Sequence, residues 1–226
     1  MLVPILLLAA ILRLYKIEGY MTFLGDEGRD ALVVYNILHG NPTLLGPTAS
    51  VGGFFMGPVY YYFMAPFLWL FNYNPVGPAV MVALFGITTV FLVYKIGSEF
   101  FGKKAAIIAS LLYSISHLDI AYSRSSWNPN LMPFFSLLTM YVLHKAVIKN
   151  KFYLFILTGF LYGITIQLHY ISLFLGTAII LFVFLRTIIA RGNIISGLLK
   201  SYFFMLLGFI IGWSPFLAFE FRHGFP

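Results

Sequence analysis

Residues 54–71 read Phe54-Phe55-Met56-Gly57-Pro58-Val59-Tyr60-Tyr61-Tyr62-Phe63-Met64-Ala65-Pro66-Phe67-Leu68-Trp69-Leu70-Phe71. The stretch is apolar enough to cross a bilayer. Whether it crosses or lies along the surface decides the side on which every later loop falls. If it lies flat, three basic loops share one side: Lys95/Lys103/Lys104, Lys145/Lys149/Lys151 and Arg186/Arg191/Lys200. Together they hold nine of the 14 lysines and arginines. The opposite side then carries Asp26, Glu27, Asp30 and Asp119, with Arg29, Arg124 and Arg222. Lys/Arg-rich loops face the cytoplasm, so the flat reading gives a coherent topology: seven spans, N-terminus inside, the 18–75 loop outside. A crossing segment would put all nine basic residues outside. Arg13 and Lys16 dissent, because they end on the outer face. The aromatic side chains support the flat position, since rings with a polar tip prefer the headgroup level. Gly57-Pro58 suits a helix start with Pro58 as the first helical residue, and Pro66 is expected to kink that helix.

Composition fixes the solvent. The chain is 61% hydrophobic, 19% aromatic and only 9% charged, with a mean hydropathy of +0.92. A soluble domain has about 45–50% apolar and about 25% charged residues. The apolar segments do not alternate as transmembrane strands do, and helices are the other way to satisfy the backbone in lipid. The expected fold class is all-α: a polytopic membrane helix bundle with about seven transmembrane helices and two surface helices in the first outer loop. The spans fall at about 1–17, 76–96, 105–121, 131–148, 152–168, 171–186 and 199–220, in a single membrane domain, 1–226. The net charge of +7 is scattered between hydrophobic segments and reads as topology, not as nucleic-acid binding. The absence of cysteine excludes disulfides and thiolate metal sites and leaves the redox compartment undetermined. No cleaved signal peptide is recognisable. The first segment is short of the ~20 residues a span needs, so either its helix begins in the headgroups or the chain is trimmed there.

Gly25-Asp26-Glu27-Gly28-Arg29-Asp30 concentrates charge directly after the first hydrophobic segment. Ionisable groups at a membrane usually mark a substrate or ion site. Asp26 and Glu27 are candidates for a general base, and Arg29 for a phosphate contact. The competing reading is a helix N-terminus whose acids complement its dipole. Residues 26–39 form the first surface helix, with Asp26 at or near the N-cap and Ala31, Val34, Tyr35 and Leu38 as one apolar face. Gly40-Asn41-Pro42 stops it, and Leu45 to Gly53 is a loop. The second outer loop, Tyr122-Ser123-Arg124-Ser125-Ser126-Trp127-Asn128-Pro129-Asn130, supplies a guanidinium fork for phosphate at Arg124. It also offers a flat face for a sugar at Trp127 and hydrogen bonds from Asn128. A snorkelling arginine and an interfacial tryptophan would look the same. Tyr60 and Tyr61 join the substrate-binding candidates. His169, in the tight turn Gln167-Leu168-His169-Tyr170, either donates to phosphate or caps helix carbonyls. No two histidines have metal-ligand spacing; a divalent cation held by acids and histidines from several loops stays open. No G-x-x-x-x-G-K phosphate loop occurs. The acids sit on the outer side, so a group donor used there is lipid-borne.

This order of features resembles the membrane-embedded glycosyltransferases of the GT-C superfamily, in particular bacterial relatives of protein O-mannosyltransferases and aminoarabinose transferases. The resemblance rests on a first span, an outer loop opening with Asp26-Glu27, surface helices at 26–39 and 54–71, and the later hairpins. It implies inverting transfer from a polyprenyl-phosphate sugar to a glycan, lipid or protein acceptor at the plasma membrane, with Asp26 as general base and Glu27 as the second acid. Two departures stand out. Asn128-Pro129 replaces an acid before proline, and Gly57-Pro58 replaces a lysine opening the second surface helix, so Arg124, Arg29 and His169 stand in as phosphate contacts. Family members usually continue beyond the seventh span, which makes this chain an expected fragment. A transporter or flippase for a lipid-linked or small polar substrate is the main alternative, although its charges would sit at mid-membrane. A noncatalytic scaffold is the third.

Overall fold

A computed structural model describes residues 1–49, 52–189 and 194–224. Arg191, counted above among the basic loop residues, lies outside the described residues, as do Ser50-Val51 of the glycine loop and the terminal Phe225-Pro226. Every regular element among the described residues is helical; the only β pairing is two isolated bridges. In chain order the helices are α1 (Leu2–Leu14), α2 (Ile17–Tyr20), α3 (Gly25–Leu38), α4 (Val59–Leu70), α5 (Val76–Phe100) and α6 (Gly102–Ile115). They continue with α7 (His117–Tyr122), α8 (Met132–Lys149), α9 (Phe152–Leu168), α10 (Leu173–Ile189) and α11 (Ile194–His223). Four segments are long and apolar enough to cross a membrane: Val76–Phe100, Asn128–Lys149, Tyr170–Ile189 and Ile194–His223. Leu2–Leu14, Val59–Leu70 and Phe152–Leu168 are apolar but shorter.

Three local expectations are corrected. The 105–121 segment is two helices, because the chain turns at Ser116, whose hydroxyl accepts the Asp119 backbone N–H and starts α7. At ~1.5 Å per residue, the 14 residues of α6 fall short of a hydrocarbon core about 30 Å thick. Helix α4 begins at Val59, one residue after Pro58, and runs on through Pro66. The inward face of α3 is Glu27, Asp30 and Val34, not a purely apolar stripe; Tyr35 is exposed.

Residues Met1–Thr43 and Tyr60–Leu137 form one compact unit, and Leu44–Val59 with Leu138–Pro226 form a second. In the first unit α1 packs on α5 and α6 through Ile5, Ala9 and Val90, and Ile17 meets Ala79 and Ala83. Small residues at Ala9, Ala79 and Ala83 let the helices approach closely. Arg13, in the last turn of α1, is fully buried. Its guanidinium donates to Ser123 Oγ (3.2 Å), Ser114 O (3.0 Å), Tyr113 O (3.4 Å) and Ala9 O (3.4 Å). Tyr113 and Ser114 close α6, where the break at Ser116 leaves carbonyls with no partner further along the helix. The cation that disagreed with the charge rule is therefore a helix C-terminal cap inside the protein. A side chain at Gly86 would collide with Ser123 and Arg13, so that position must stay bare. Arg13→Gln is expected to lower thermal stability, at ~1–3 kcal/mol for each carbonyl left unsatisfied, with Arg13→Lys intermediate. Melting of the purified variants checks this, and wild-type stability of Arg13→Gln contradicts it.

In the second unit α9 and α11 make the closest helix pair. Gly159 and Gly163 on α9 face Gly208 and Gly212 on α11. A Cβ at Gly159 would strike the Met205 carbonyl, and one at Gly208 the Ile156 carbonyl. These are two small-xxx-small motifs, each using missing side chains to bring backbones together. Gln167 Nε2 fastens the end of the pair, donating to Gly163 O (3.0 Å) and Gly212 O (2.7 Å). Leu143, Ala146, Phe155, Ile179, Val183 and Met205 form the core around them.

Candidate functional site

Helix α3 starts on the extended residue Leu24. Glu27 reaches back, and its Oε2 accepts the Leu24 N–H at 3.0 Å. This is half of a capping box. Glu27 Oε1 accepts the Ser125 hydroxyl at 2.7 Å, and the residue is 5% exposed. Glu27 thus caps α3 and ties its start to Ser125 in the 122–130 segment.

Asp26 differs. It falls inside the first turn, not at the N-cap, and its side chain is 53% exposed. It lines a cleft of about 540 Å³ bounded by Thr22, Leu24, Tyr122, Ser125 and Trp127. A parallel bridge between Thr22 and Ser125 holds the two strands of this wall together. Asp26 and Trp127, chosen separately from two loops, thus line one space. An open carboxylate beside a tryptophan can receive a proton from a hydroxyl group resting on the ring.

Arg29 projects between two acids. Its Nη1 donates to Asp26 Oδ1 at 2.9 Å, and its Nε and Nη2 donate to Asp30 Oδ1 at 2.9 and 2.8 Å. Tyr61 Oη donates to the same Asp30 oxygen at 3.2 Å. Asp30 is fully buried and its Oδ2 has no hydrogen-bond partner. Burial raises its pKa from 3.8 to about 6, against the opposing pull of Arg29 and Tyr61. Burial also disfavours the Arg29 cation, but the hydrogen bond and charge of Asp30, with Asp26, outweigh it and raise the Arg29 pKa. A carboxyl held above its unfolded pKa binds more protons folded than unfolded between the two values. Folding stability should therefore fall as pH rises from about 4 to about 6. Asp30→Asn is expected to flatten that slope, and melting temperatures across the interval measure it. An unchanged slope would remove Asp30 as its source.

The three serines of the 122–130 segment each pin a different helix. Ser123 meets Arg13 of α1, Ser125 meets Glu27 of α3, and Ser126 lies 2.8 Å from Tyr60 Oη of α4. All three are buried. Tyr60 is fully buried and Tyr61 nearly so, and neither is among the residues lining the cleft. Asn128 is buried at the start of a 3-10 turn, Asn128–Leu131. Arg124 is turned away from Asp26: it donates to the Leu12 carbonyl and lies over the Tyr20 ring, 4.9 Å from its centre. It is a cap for α1, with its buried Nε unpartnered. His169 belongs to the second unit. Its Nδ1 accepts the Ile171 N–H at 3.2 Å, where carbonyl capping was expected, and its ring stacks on Tyr170. Burial lowers its pKa, which favours the neutral ring. Phe54, just after the glycine loop, meets the Tyr170 ring edge-on.

Sequence reasoning missed the burial of Asp30 and the partners of the three serines. Their signal was the i, i+3, i+7 spacing of Glu27, Asp30 and Val34. Among the described residues no group of three acids or histidines is arranged to hold a metal ion.

A bundle of apolar helices carrying a charged cleft on its first connecting loop is the make-up of a multi-pass membrane protein. The family model for dolichyl-phosphate-mannose-protein mannosyltransferases matches residues 56–219, and the chain belongs to that family. The match begins downstream of Asp26. Two curated relatives come from Bacillus subtilis (strain 168). The "Putative mannosyltransferase YycA" is 28% identical over 70% of this chain and 23% of its own length. The "Putative mannosyltransferase YkcB" is 34% identical over 36% of this chain and 12% of its own length. The chain therefore spans less than a quarter of either relative. No solved structure matches.

Proposed function

We propose that this chain is the membrane module of an inverting glycosyltransferase. It moves a sugar from a polyprenyl-phosphate donor to an acceptor hydroxyl at the outer face of the plasma membrane. The observation that carries the proposal is the contrast within the acidic pair: Glu27 is buried and bonded on both oxygens, whereas Asp26 opens into the cleft beside Trp127. Asp26 takes the proton of the acceptor hydroxyl, the acceptor oxygen bonds to the anomeric carbon, and the lipid phosphate leaves with the electron pair. Arg29, already bonded to Asp26 and Asp30, supplies the positive charge beside the base that the phosphate needs. A donor that enters from the lipid meets the cleft at the level of the surface helices, and a glycan, lipid or protein is the acceptor.

The family membership supports glycosyl transfer, and the two relatives' names point to mannose. The distribution of lysines and arginines supports the sidedness, with the N-terminus in the cytoplasm and about seven spans in one module. The test is product analysis. Membranes containing the protein are supplied with a panel of polyprenyl-phosphate sugars, and mass spectrometry follows donor loss and glycosylated product. One sugar should be transferred with release of polyprenyl phosphate. Lipid-linked sugar moved across vesicles with no chemical turnover would replace this reading with a flippase.

A further inference from the structure

The second unit has a polar cavity far along its helices from the glycine loop. It has a volume of about 410 Å³ and gathers one end of each of four helices: the C-terminal ends of α8 and α10 and the N-terminal ends of α9 and α11. Helix ends of apolar helices mark the boundary between lipid and water. Arg186 and Lys200 both line the cavity, together with Asn150, Thr187, Ser196 and Ser201. No acidic side chain is among its described lining residues. The floor is apolar, made by Phe155, Val183 and Phe204, which continues into the core of the unit.

We infer that this cavity is a binding site for the phosphate headgroup of an anionic phospholipid. Two cations and several hydroxyls converge on a space of headgroup size, and the apolar floor suits the first carbons of acyl chains. Basic pockets between membrane helices on the cytoplasmic side hold anionic headgroups for this reason. Lys145, Lys149 and Lys151 lie at the same helix ends and raise the local positive potential. The leaflet is the one facing the basic loops, so the site is distinct in kind from the acidic cleft on the first outer loop. It holds the lipid as a structural ligand and takes part in no bond-making step.

The experiment uses the purified full chain in detergent. Phosphatidylglycerol, phosphatidylcholine with the same acyl chains, and inorganic phosphate are added in turn, and native mass spectrometry counts retained lipid while melting reports stabilisation. At ~1 kcal/mol per cation near an anionic surface, two cations give a roughly thirtyfold preference for phosphatidylglycerol over phosphatidylcholine. Arg186→Gln/Lys200→Gln should bring the two lipids close to parity, while Lys103→Gln/Lys104→Gln, outside the cavity, should keep the preference. If the first double variant does not purify, Lys200→Glu alone carries the same comparison, with Lys200→Arg retaining the preference. Equal retention of both lipids by the wild type would overturn the inference. So would an equal loss in the Lys103/Lys104 variant. Inorganic phosphate that stabilises as well as the lipid at equal concentration would overturn the lipid assignment and identify a soluble phosphate ligand.

Discussion

Asp26→Asn is expected to leave expression, membrane insertion and melting close to wild type while lowering sugar transfer by about 10²–10⁴, the usual contribution of a general base. Stability should survive because Asp26 is half exposed and its visible bond is to Arg29, itself 41% exposed. Surface ion pairs of this kind contribute about 0–1 kcal/mol. Asparagine keeps the shape of the side chain and loses the charge, and with it the ion pair to Arg29 and the ability to take the proton. The contrast with Glu27 sharpens the experiment. Glu27→Gln keeps an oxygen for Leu24 or for Ser125 but not both in their present form, so it should lower melting as well as activity. Transfer rates in the two variants, each normalised to folded protein, separate a reacting acid from a positioning one. Wild-type turnover by Asp26→Asn would sink the assignment of the base, and the cleft would need another acid.

The helical class and the meeting of the loops that hold Asp26 and Trp127 were legible before any coordinates. Apolar segments too long for strands demand helices. An acid after the first segment and a tryptophan after the fourth fall on one side whenever 54–71 lies flat. What could not be read was which charged groups are already occupied. Arg124 and Arg13 differ little as sequence, yet both are turned to carbonyls of broken or ending helices. The break at Ser116 creates that need, and no apolar periodicity announces it. Tyr60 and Tyr61, expected as substrate contacts, are buried for a similar reason. Their hydroxyls are satisfied by Ser126 and Asp30, so the rings can be buried at little polar cost. An acid on an inward helix face is expensive, and the unpaired oxygen of Asp30 shows that the cost is only partly offset.

Gly208→Leu is expected to have the largest structural effect in the chain: loss of the folded, monodisperse protein. The glycine pairs on α9 and α11 were present in the sequence as Gly159-x-x-x-Gly163 and Gly208-x-x-x-Gly212, a spacing that marks close helix packing in apolar segments. Between helices in lipid the hydrophobic effect gives no net attraction, so backbone proximity and packing hold the pair together. A Cβ at Gly208 points at the Ile156 carbonyl carbon and oxygen and the Phe160 nitrogen. Backbone atoms of a neighbouring helix cannot step aside as a side-chain tip can. The helices must separate, which also pulls Gln167 from the Gly212 carbonyl and leaves buried polar atoms unpaired. The cost should exceed the ~1–3 kcal/mol of ordinary overpacking. Gly176→Ala is the control, because the nearest atoms its Cβ would meet belong to the Tyr162 side chain, whose tip borders a cavity and can swing aside, and it should melt within a few degrees of wild type. Size-exclusion profiles of fluorescent fusions and melting of the purified proteins compare the two. A Gly208→Leu protein that elutes and melts like the Gly176→Ala protein would show that α9 and α11 are not held together by their glycine faces.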